Sequence, residues 1–231
     1  MCYHAQSQVL LTLIFGDKLS SENIQFGLEG GVNWSTITQT EADQRHASFN
    51  LGYYFDIKLK NQWYLNTGVL VKATLGEKGL TAKDLSFLEI PLAEQAGTYT
   101  QITNYFILPI LFKYNFKNRM YVEAGPQGGL LLSAYVRYEA EVEDTEARVK
   151  FHNKDQINTI DAGITFGTGY KLTKKRNSMT LGVKYYHGLT NVYKNNPGTH
   201  NNSIFAKLNI PIGAPKKKKK NSPQQETDDK S

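Results

Sequence analysis

Ile160-Asp161-Ala162-Gly163-Ile164-Thr165-Phe166-Gly167-Thr168-Gly169-Tyr170-Lys171 is the stretch that decides how this chain is read. Its odd partners, Asp161, Gly163, Thr165, Gly167, Gly169 and Lys171, are small or charged, and its even partners are mostly apolar. Side chains of a strand alternate across its two faces, so this period of two describes a strand between two different environments, one greasy and one polar.

The same rhythm recurs on either side. Downstream, Met179, Leu181, Val183 and Tyr185 oppose Thr180, Gly182, Lys184 and Tyr186, and Ile204, Ala206, Leu208, Ile210 and Ile212 oppose Phe205, Lys207 and Asn209. Upstream, strands are expected around Ile24–Trp34, Phe49–Lys58, Trp63–Lys72, Phe106–Asn115 and Tyr121–Arg137. In the last of these, Val122, Ala124, Leu130, Leu132, Ala134 and Val136 are assigned one face, and a bulge or bend is expected at Gly125-Pro126-Gln127-Gly128-Gly129. The count is eight strands, each long enough for the roughly 9–11 residues that a tilted membrane strand needs.

The connections sort into two classes. Lys60-Asn61-Gln62, Lys117-Asn118 and Thr173–Ser178 are short; Thr36–Ala47, Glu77–Gln101, Tyr138–Gln156 and Thr190–Asn202 are long, and the two kinds alternate throughout. Short turns at one end and long loops at the other are the pattern of an eight-stranded antiparallel up-and-down transmembrane β-barrel with short periplasmic turns and long extracellular loops. The short-turn end is basic, with Lys58, Lys60, Lys117, Arg119, Lys174, Lys175 and Arg176. That rim fits either phospholipid headgroups of the inner leaflet or ordinary solvated turns.

Composition agrees with a barrel and excludes a helical membrane protein. The 231 residues are 40% hydrophobic with a mean hydropathy of −0.46, and no window approaches a spanning helix. A polar lumen dilutes the average hydropathy of a barrel, so soluble-looking values are compatible with one. Cys2 is the single cysteine, which leaves no internal disulfide and no thiol cluster for a metal. The expected division is 1–21 as an N-terminal lead-in, 22–213 as the barrel and 214–231 as a disordered lysine-rich tail. His4-Ala5-Gln6 reads as the remnant of a signal-cleavage region in a processed precursor.

No catalytic motif is present: there is no Gly-x-Ser-x-Gly elbow, no His-Glu-x-x-His and no Walker loop. Gly163, Gly167 and Gly169 share one strand face with no helix start after them, so they read as room-makers in a crowded lumen. The histidines lack ligand spacing, and neither a metal nor any other cofactor is expected. His187 with Ser133 or Asp161 is the single weak candidate for a catalytic grouping. The run Lys216–Lys220 lacks interleaved aromatics, which argues against nucleic-acid binding.

The polar phase carries Glu29, Asp56, Lys72, Lys113, Glu123, Arg137, Asp161, Lys171, Lys184 and Lys207, with Lys58 at its edge. Inside an eight-stranded barrel these charges are expected to form a cross-lumen network that plugs the bore, rather than a gated ion path, because buried charge is tolerated when paired. Interfacial aromatics are expected at Trp34 and Phe49 on the outer side and at Trp63, Phe116 and Tyr170 on the inner.

Asn104-Tyr105-Phe106-Ile107-Leu108-Pro109-Ile110-Leu111-Phe112-Lys113-Tyr114 and Tyr121-Val122-Glu123-Ala124-Gly125-Pro126-Gln127, with Asp161-Ala162-Gly163-Ile164 and Tyr185-Tyr186-His187-Gly188-Leu189-Thr190-Asn191, resemble the PorT-like outer-membrane β-barrel family of the Bacteroidetes. The resemblance runs from about Phe26 to Ile212; Pro109 and Gly125-Pro126 are its best markers. The family commonly has a Glu two residues before the first of these prolines, where this chain has Ile107. The resemblance implies an outer-membrane location in a Gram-negative bacterium and a non-enzymatic barrel; the namesake is associated with type IX secretion, a role that fold alone does not transfer.

The expected partners are outer-membrane lipids and a protein met at the loops or the periplasmic face, in an interaction, assembly or secretion-accessory role. The alternative is a soluble lipocalin-like barrel, apolar face inward, carrying a small hydrophobic ligand. Oligomeric state is open.

Overall fold

The computed structural model describes residues 20–213 apart from 22, 94–95, 143–144 and 176. The lysine-rich tail and nearly all of the N-terminal segment lie outside the described residues. Among the described residues nine strands run in order: β1 (Ile24–Ile37), β2 (Gln44–Lys60), β3 (Trp63–Lys78), β4 (Thr98–Asn115), β5 (Met120–Val142), β6 (Thr145–His152), β7 (Ile160–Lys171), β8 (Thr180–Gly188) and β9 (Asn201–Ile212). One short helix, α1 (Ala82–Phe87), lies between β3 and β4.

All pairings are antiparallel, and eight strands close a ring in the order β1-β2-β3-β4-β5-β7-β8-β9, with β9 returning to β1 from Phe26↔Ile212 to Ile37↔Asn201. Closure leaves the spanning wall without a free sheet edge, which is what a lipid environment demands of β-structure. The ninth strand, β6, stands outside the ring: it pairs with the upper part of β5, Tyr135–Val142, as a hairpin above the level where β7 takes over. In the sequence this segment counts as a long loop, although Tyr138-Glu139-Ala140-Glu141-Val142 and Ala147-Arg148-Val149-Lys150-Phe151 do alternate apolar with charged residues.

The alternation read from the sequence sets the orientation of the wall. Phe112, Phe166 and Val183 are 55, 57 and 51% exposed on the outside, while Lys113 and Lys184, their immediate neighbours in β4 and β8, are 0 and 1% exposed inside. The barrel is therefore greasy outward and polar inward. The lipocalin alternative requires the reverse arrangement and is not favoured.

Two register shifts correct the reading. The bend expected at Gly125-Pro126-Gln127 is absent: β5 runs through it in unbroken register with β4 and β7. Bulges occur instead between Leu70 and Ala73 of β3 and at Leu132 of β5, where the β4 register slips between Asn104 and Tyr105. An extra residue in one strand reverses the phase of everything beyond it. Above these points Ala73, Leu75, Ala134 and Val136 turn inward, and Lys72, Tyr135 and Arg137 turn outward.

This phase change divides the interior into two layers. The half nearest the short turns is ionic. The half nearest the long loops is an apolar core in which Leu70, Leu75, Tyr105, Ile107 and Val136 from the wall meet Leu80, Leu85, Leu88 and Ile90 from the β3–β4 connection and Val192 and Tyr193 from the β8–β9 connection. Helix α1 starts at a capping box, with the Thr81 side chain accepting from the Asp84 N–H and the Asp84 carboxylate accepting from the Thr81 N–H at 2.9 Å. Phe87 meets the Tyr193 ring edge-on at 5.0 Å, joining the two connections into one cap over the bore.

Candidate functional site

The ionic layer is built by inward positions of seven strands. Lys113 of β4 reaches Asp56 of β2 at 2.8 Å, and Asn66 of β3 donates to the other Asp56 oxygen at 2.6 Å. Lys184 of β8 donates to Glu29 of β1 at 3.0 Å. Lys207 of β9 lies 3.9 Å from Glu29 and 2.5 Å from Glu123 of β5. Three ammonium groups thus face three carboxylates, and each of the six side chains is buried. Tyr121 stands among them, with Lys113 4.3 Å and Lys207 5.9 Å from its ring centroid. The ring occupies space left by Gly169 and Gly182, where a Cβ would collide with the Tyr121 hydroxyl. These glycines are room-makers for a wide aromatic, as the one-faced glycine pattern of β7 suggests.

The remaining sequence candidates are placed elsewhere. Asp161 is buried, but in a separate polar patch, accepting from the Tyr186 hydroxyl at 2.6 Å and the Asn201 amide at 3.1 Å. Lys171 is inward and half-buried at the lower rim, 5.5 Å from the Tyr64 ring. Lys72 and Arg137, expected inward, are corrections: the β3 and β5 bulges put both on the outer wall, Lys72 6.0 Å from the Phe49 ring and Arg137 3.2 Å from Glu139. Lys58, at the end of β2, is exposed. The five aromatics Trp34, Phe49, Trp63, Phe116 and Tyr170 are all on the outer surface, between 37 and 49% exposed. Trp34 and Phe49 lie near the long-loop end; Trp63, Phe116 and Tyr170 lie next to the short turns, where Arg119 covers Tyr170 at 4.7 Å.

The weak catalytic candidate is not assembled. His187 is exposed on the outer wall, paired with Asn202 at 2.8 Å, whereas Asp161 faces the interior, and the Ser133 hydroxyl accepts from the Asn104 amide at 2.9 Å. Among the described residues no group of three His, Cys, Asp or Glu side chains is positioned to hold a metal ion.

Sequence reasoning missed the apolar cap. A signal for it was present: Thr81-x-x-Asp84, followed by Leu85, Leu88 and Ile90, is a helix start leading into an apolar face inside what reads as a loop. Glu77 was also missed. It is buried beneath the cap, accepting from the Ile37 N–H at 3.1 Å and the Thr40 hydroxyl at 2.8 Å. The lipid-facing run of β3 ends at Val71, so Glu77 lies about 20 Å further along the strand, above the spanning segment. Burial pushes its carboxyl up to about 7, with Asp84 adding to the rise and the bonds from Thr40 and Ile37 opposing it.

With an outward apolar wall, an inward ionic layer and alternating short and long connections established, the family can be given. Residues 5–194 match the model of the outer membrane protein beta-barrel domain. The chain belongs to this outer-membrane β-barrel family. The match covers well over half of the chain, and the protein is accordingly an outer-membrane protein with its long-loop end directed outward. No curated protein matches the sequence significantly. Solved structures with a similar barrel include the attachment invasion locus protein Ail of Yersinia pestis, crystallised with the heparin analogue sucrose octasulfate, at 8% identity and a TM-score of 0.44 over 82% of this chain and 99% of Ail. Neisserial surface protein A matches at 8% identity and 0.42 over 83 and 100%, and OprG of Pseudomonas aeruginosa at 12% and 0.33 over 85 and 99%. At these values nothing about role passes from them to this chain.

Proposed function

We propose that this protein is a closed, non-conducting and non-enzymatic barrel that serves as an interaction, assembly or secretion-accessory element through its loops or periplasmic face. One observation carries the reading: the bore is filled twice, by the Asp56–Lys113 and Glu29–Lys184–Lys207–Glu123 pairs and by the apolar cap above them. An eight-stranded interior is narrow enough to be filled by side chains, and paired charges at full burial leave no wide hydrated path. With transport through the bore disfavoured and the His187 grouping with Ser133 or Asp161 not assembled, the surfaces favoured for function are the two ends and the outer wall.

The PorT-like resemblance of the Pro109 and Gly125-Pro126 strands supports an assembly or secretion-accessory role in a member of the Bacteroidetes. Ile107 is consistent with a divergent member: it is 2% exposed and part of the apolar core, at the position where the family commonly has a carboxylate. In planar bilayers the protein should give no large, stable conductance. Cross-linking in intact cells should then recover a protein neighbour through the loops or the periplasmic turns. Stable openings in the purified protein would overturn the closed-barrel reading.

A further inference from the structure

The outer wall above the lipid-facing belt differs around its circumference. On the upper parts of β7, β8, β9 and β1 the outward positions carry residues such as Ile160, Tyr185, Asn202 and Trp34, and no lysine or arginine. On β3, β5 and β6 they carry Lys72, Lys78, Arg137, Arg148 and Lys150. One cross-strand row runs Lys78↔Thr100↔Arg137↔Lys150, so three cations share one face of the sheet. Glu139 sits in the row above, and its carboxylate accepts both Arg137 at 3.2 Å and Arg148 at 2.8 Å. Lys150 rests 5.0 Å over the Tyr135 ring and Lys72 6.0 Å from the Phe49 ring; among the described residues neither these two lysines nor Lys78 has an ion-pair partner.

The height of the cluster limits what it meets. Lys72 follows Val71 directly at the upper edge of the apolar run of β3. On β5 the last outward apolar residue is Leu132, 40% exposed, and Arg137 stands about 17 Å further along the strand. The cations therefore begin where acyl chains end and continue upward beyond a single phosphodiester layer. A cleft of about 500 Å³ at the top of the same wall is lined by Lys78, Thr98, Glu139, Glu141 and Arg148, so its upper end carries carboxylates as well as cations. Below the cluster, Leu108, Leu130 and Leu132 offer an apolar bed.

We propose that the outer wall of β3–β6 is a docking site for the phosphorylated, acidic sugar headgroup of an outer-leaflet glycolipid. Lys72 takes phosphate at the belt edge, Lys78, Lys150 and the arginines take acidic groups higher up, and the acyl chains lie along the leucines beneath. Charge complementarity at the membrane surface favours this occupant, and the one-sided distribution makes it a site rather than a general attraction.

The test uses the full chain refolded in detergent, with binding read by native mass spectrometry. The probes are lipid A carrying Kdo sugars, the same glycolipid without phosphates, and phosphatidylglycerol. The wild type is expected to bind the phosphorylated glycolipid about tenfold or more tightly than either other lipid. A triple Lys72→Gln, Lys78→Gln, Lys150→Gln variant is expected to lose that preference, while Lys174→Gln with Lys175→Gln at the short-turn end keeps it. The proposal is overturned if the triple variant binds like the wild type, if the short-turn variant loses as much, or if phosphatidylglycerol binds equally well. Should the triple variant fail to fold, the wild-type comparison of phosphorylated with dephosphorylated glycolipid decides alone.

Discussion

Removing Lys113 should destabilise the barrel severely, and removing Asp56 as well should restore most of the loss. The Lys113 ammonium and the Asp56 carboxylate are 2.8 Å apart, with side chains 1 and 8% exposed. At an effective dielectric of about 20 their attraction is on the order of 5 kcal/mol, and much of that offsets the cost of taking two ions out of water. The pair is then worth little relative to an apolar replacement. Half of it is worse than none: Lys113→Met leaves a buried carboxylate held by the Asn66 amide, at a cost of about 3–5 kcal/mol. Asp56→Asn with Lys113→Met should recover about 2–3 kcal/mol of this. The assay is reversible urea unfolding in detergent or lipid vesicles, followed by emission of Trp34 and Trp63, both on the outer wall and sensitive to loss of the apolar surroundings. If Lys113→Met alone shifts stability by less than about 0.5 kcal/mol, the layer is not a set of obligate pairs and the argument for a sealed bore fails.

The crowding at Tyr121 predicts that Gly182→Ala costs about 1–3 kcal/mol in the same assay and that Tyr121→Phe, which removes the colliding hydroxyl, rescues part of it; a simple sum of the two effects would contradict the packing account. Ile110→Arg, on the outward phase of β4, should cost about 2–4 kcal/mol in vesicles, whereas Lys72→Arg at the belt edge should be close to neutral; equal costs would place the belt wrongly. Deletion of residues 80–93 should remove the β3–β4 half of the cap and still give no large conductance, because the ionic layer beneath remains; channels opened by that deletion would assign the seal to the cap and not to the ion pairs. Glu77 carries a pH dependence. Its carboxyl lies near 4.5 in the unfolded chain and about 7 in the fold, so its contribution is complete below about pH 4.5, is lost across the window from 4.5 to 7, and amounts to about 3 kcal/mol. Glu77→Gln should flatten that slope; an identical slope in the variant would show that Glu77 is not its source.

Much of the barrel is legible because its two solvents differ so sharply. In β7, β8, β9 and β1 the alternation runs unbroken, and every acidic residue and lysine of their spanning parts faces inward, Glu29, Asp161, Lys171, Lys184 and Lys207 among them. The errors fall where the period slips. Val71 and Lys72, or Leu132 and Ser133, are consecutive outward residues, and nothing in their chemistry marks the bulge: Leu-Leu-Leu-Ser-Ala reads equally well in either phase. The prolines misled in the other direction, since Pro126 is accommodated in a continuous strand, exposed on the outer wall. The ion pairs themselves were not legible. Glu29 and Lys184 are 155 residues apart and meet because the ring closes β9 onto β1, a fact about shear and not about spacing.

The order of the two layers follows from what each must satisfy. At the depth of the bilayer the wall is surrounded by hydrocarbon, so an inward polar group there has no outside water to fall back on and needs a partner across the bore. The three lysines and three carboxylates supply that partnership within the spanning height. Above the belt the wall is flanked by water and headgroups, and the bore can be closed by the ordinary means of a soluble domain, burial of leucines and tyrosines beneath a capped helix. The bulges at Leu70–Ala73 and Leu132 are the joint between these regimes: one extra residue exchanges inside for outside, sending the apolar residues of β3 and β5 into the cap and their cations onto the outer wall. The cationic wall proposed as a glycolipid site and the apolar cap thus have one structural origin. Deleting Leu132 should remove the β5 bulge yet leave Ala134 and Val136 inward and Arg137 outward, because Ser133 then follows Leu131 in plain alternation; a variant that exposed Val136 and buried Arg137 would show that the extra residue does not set their sides.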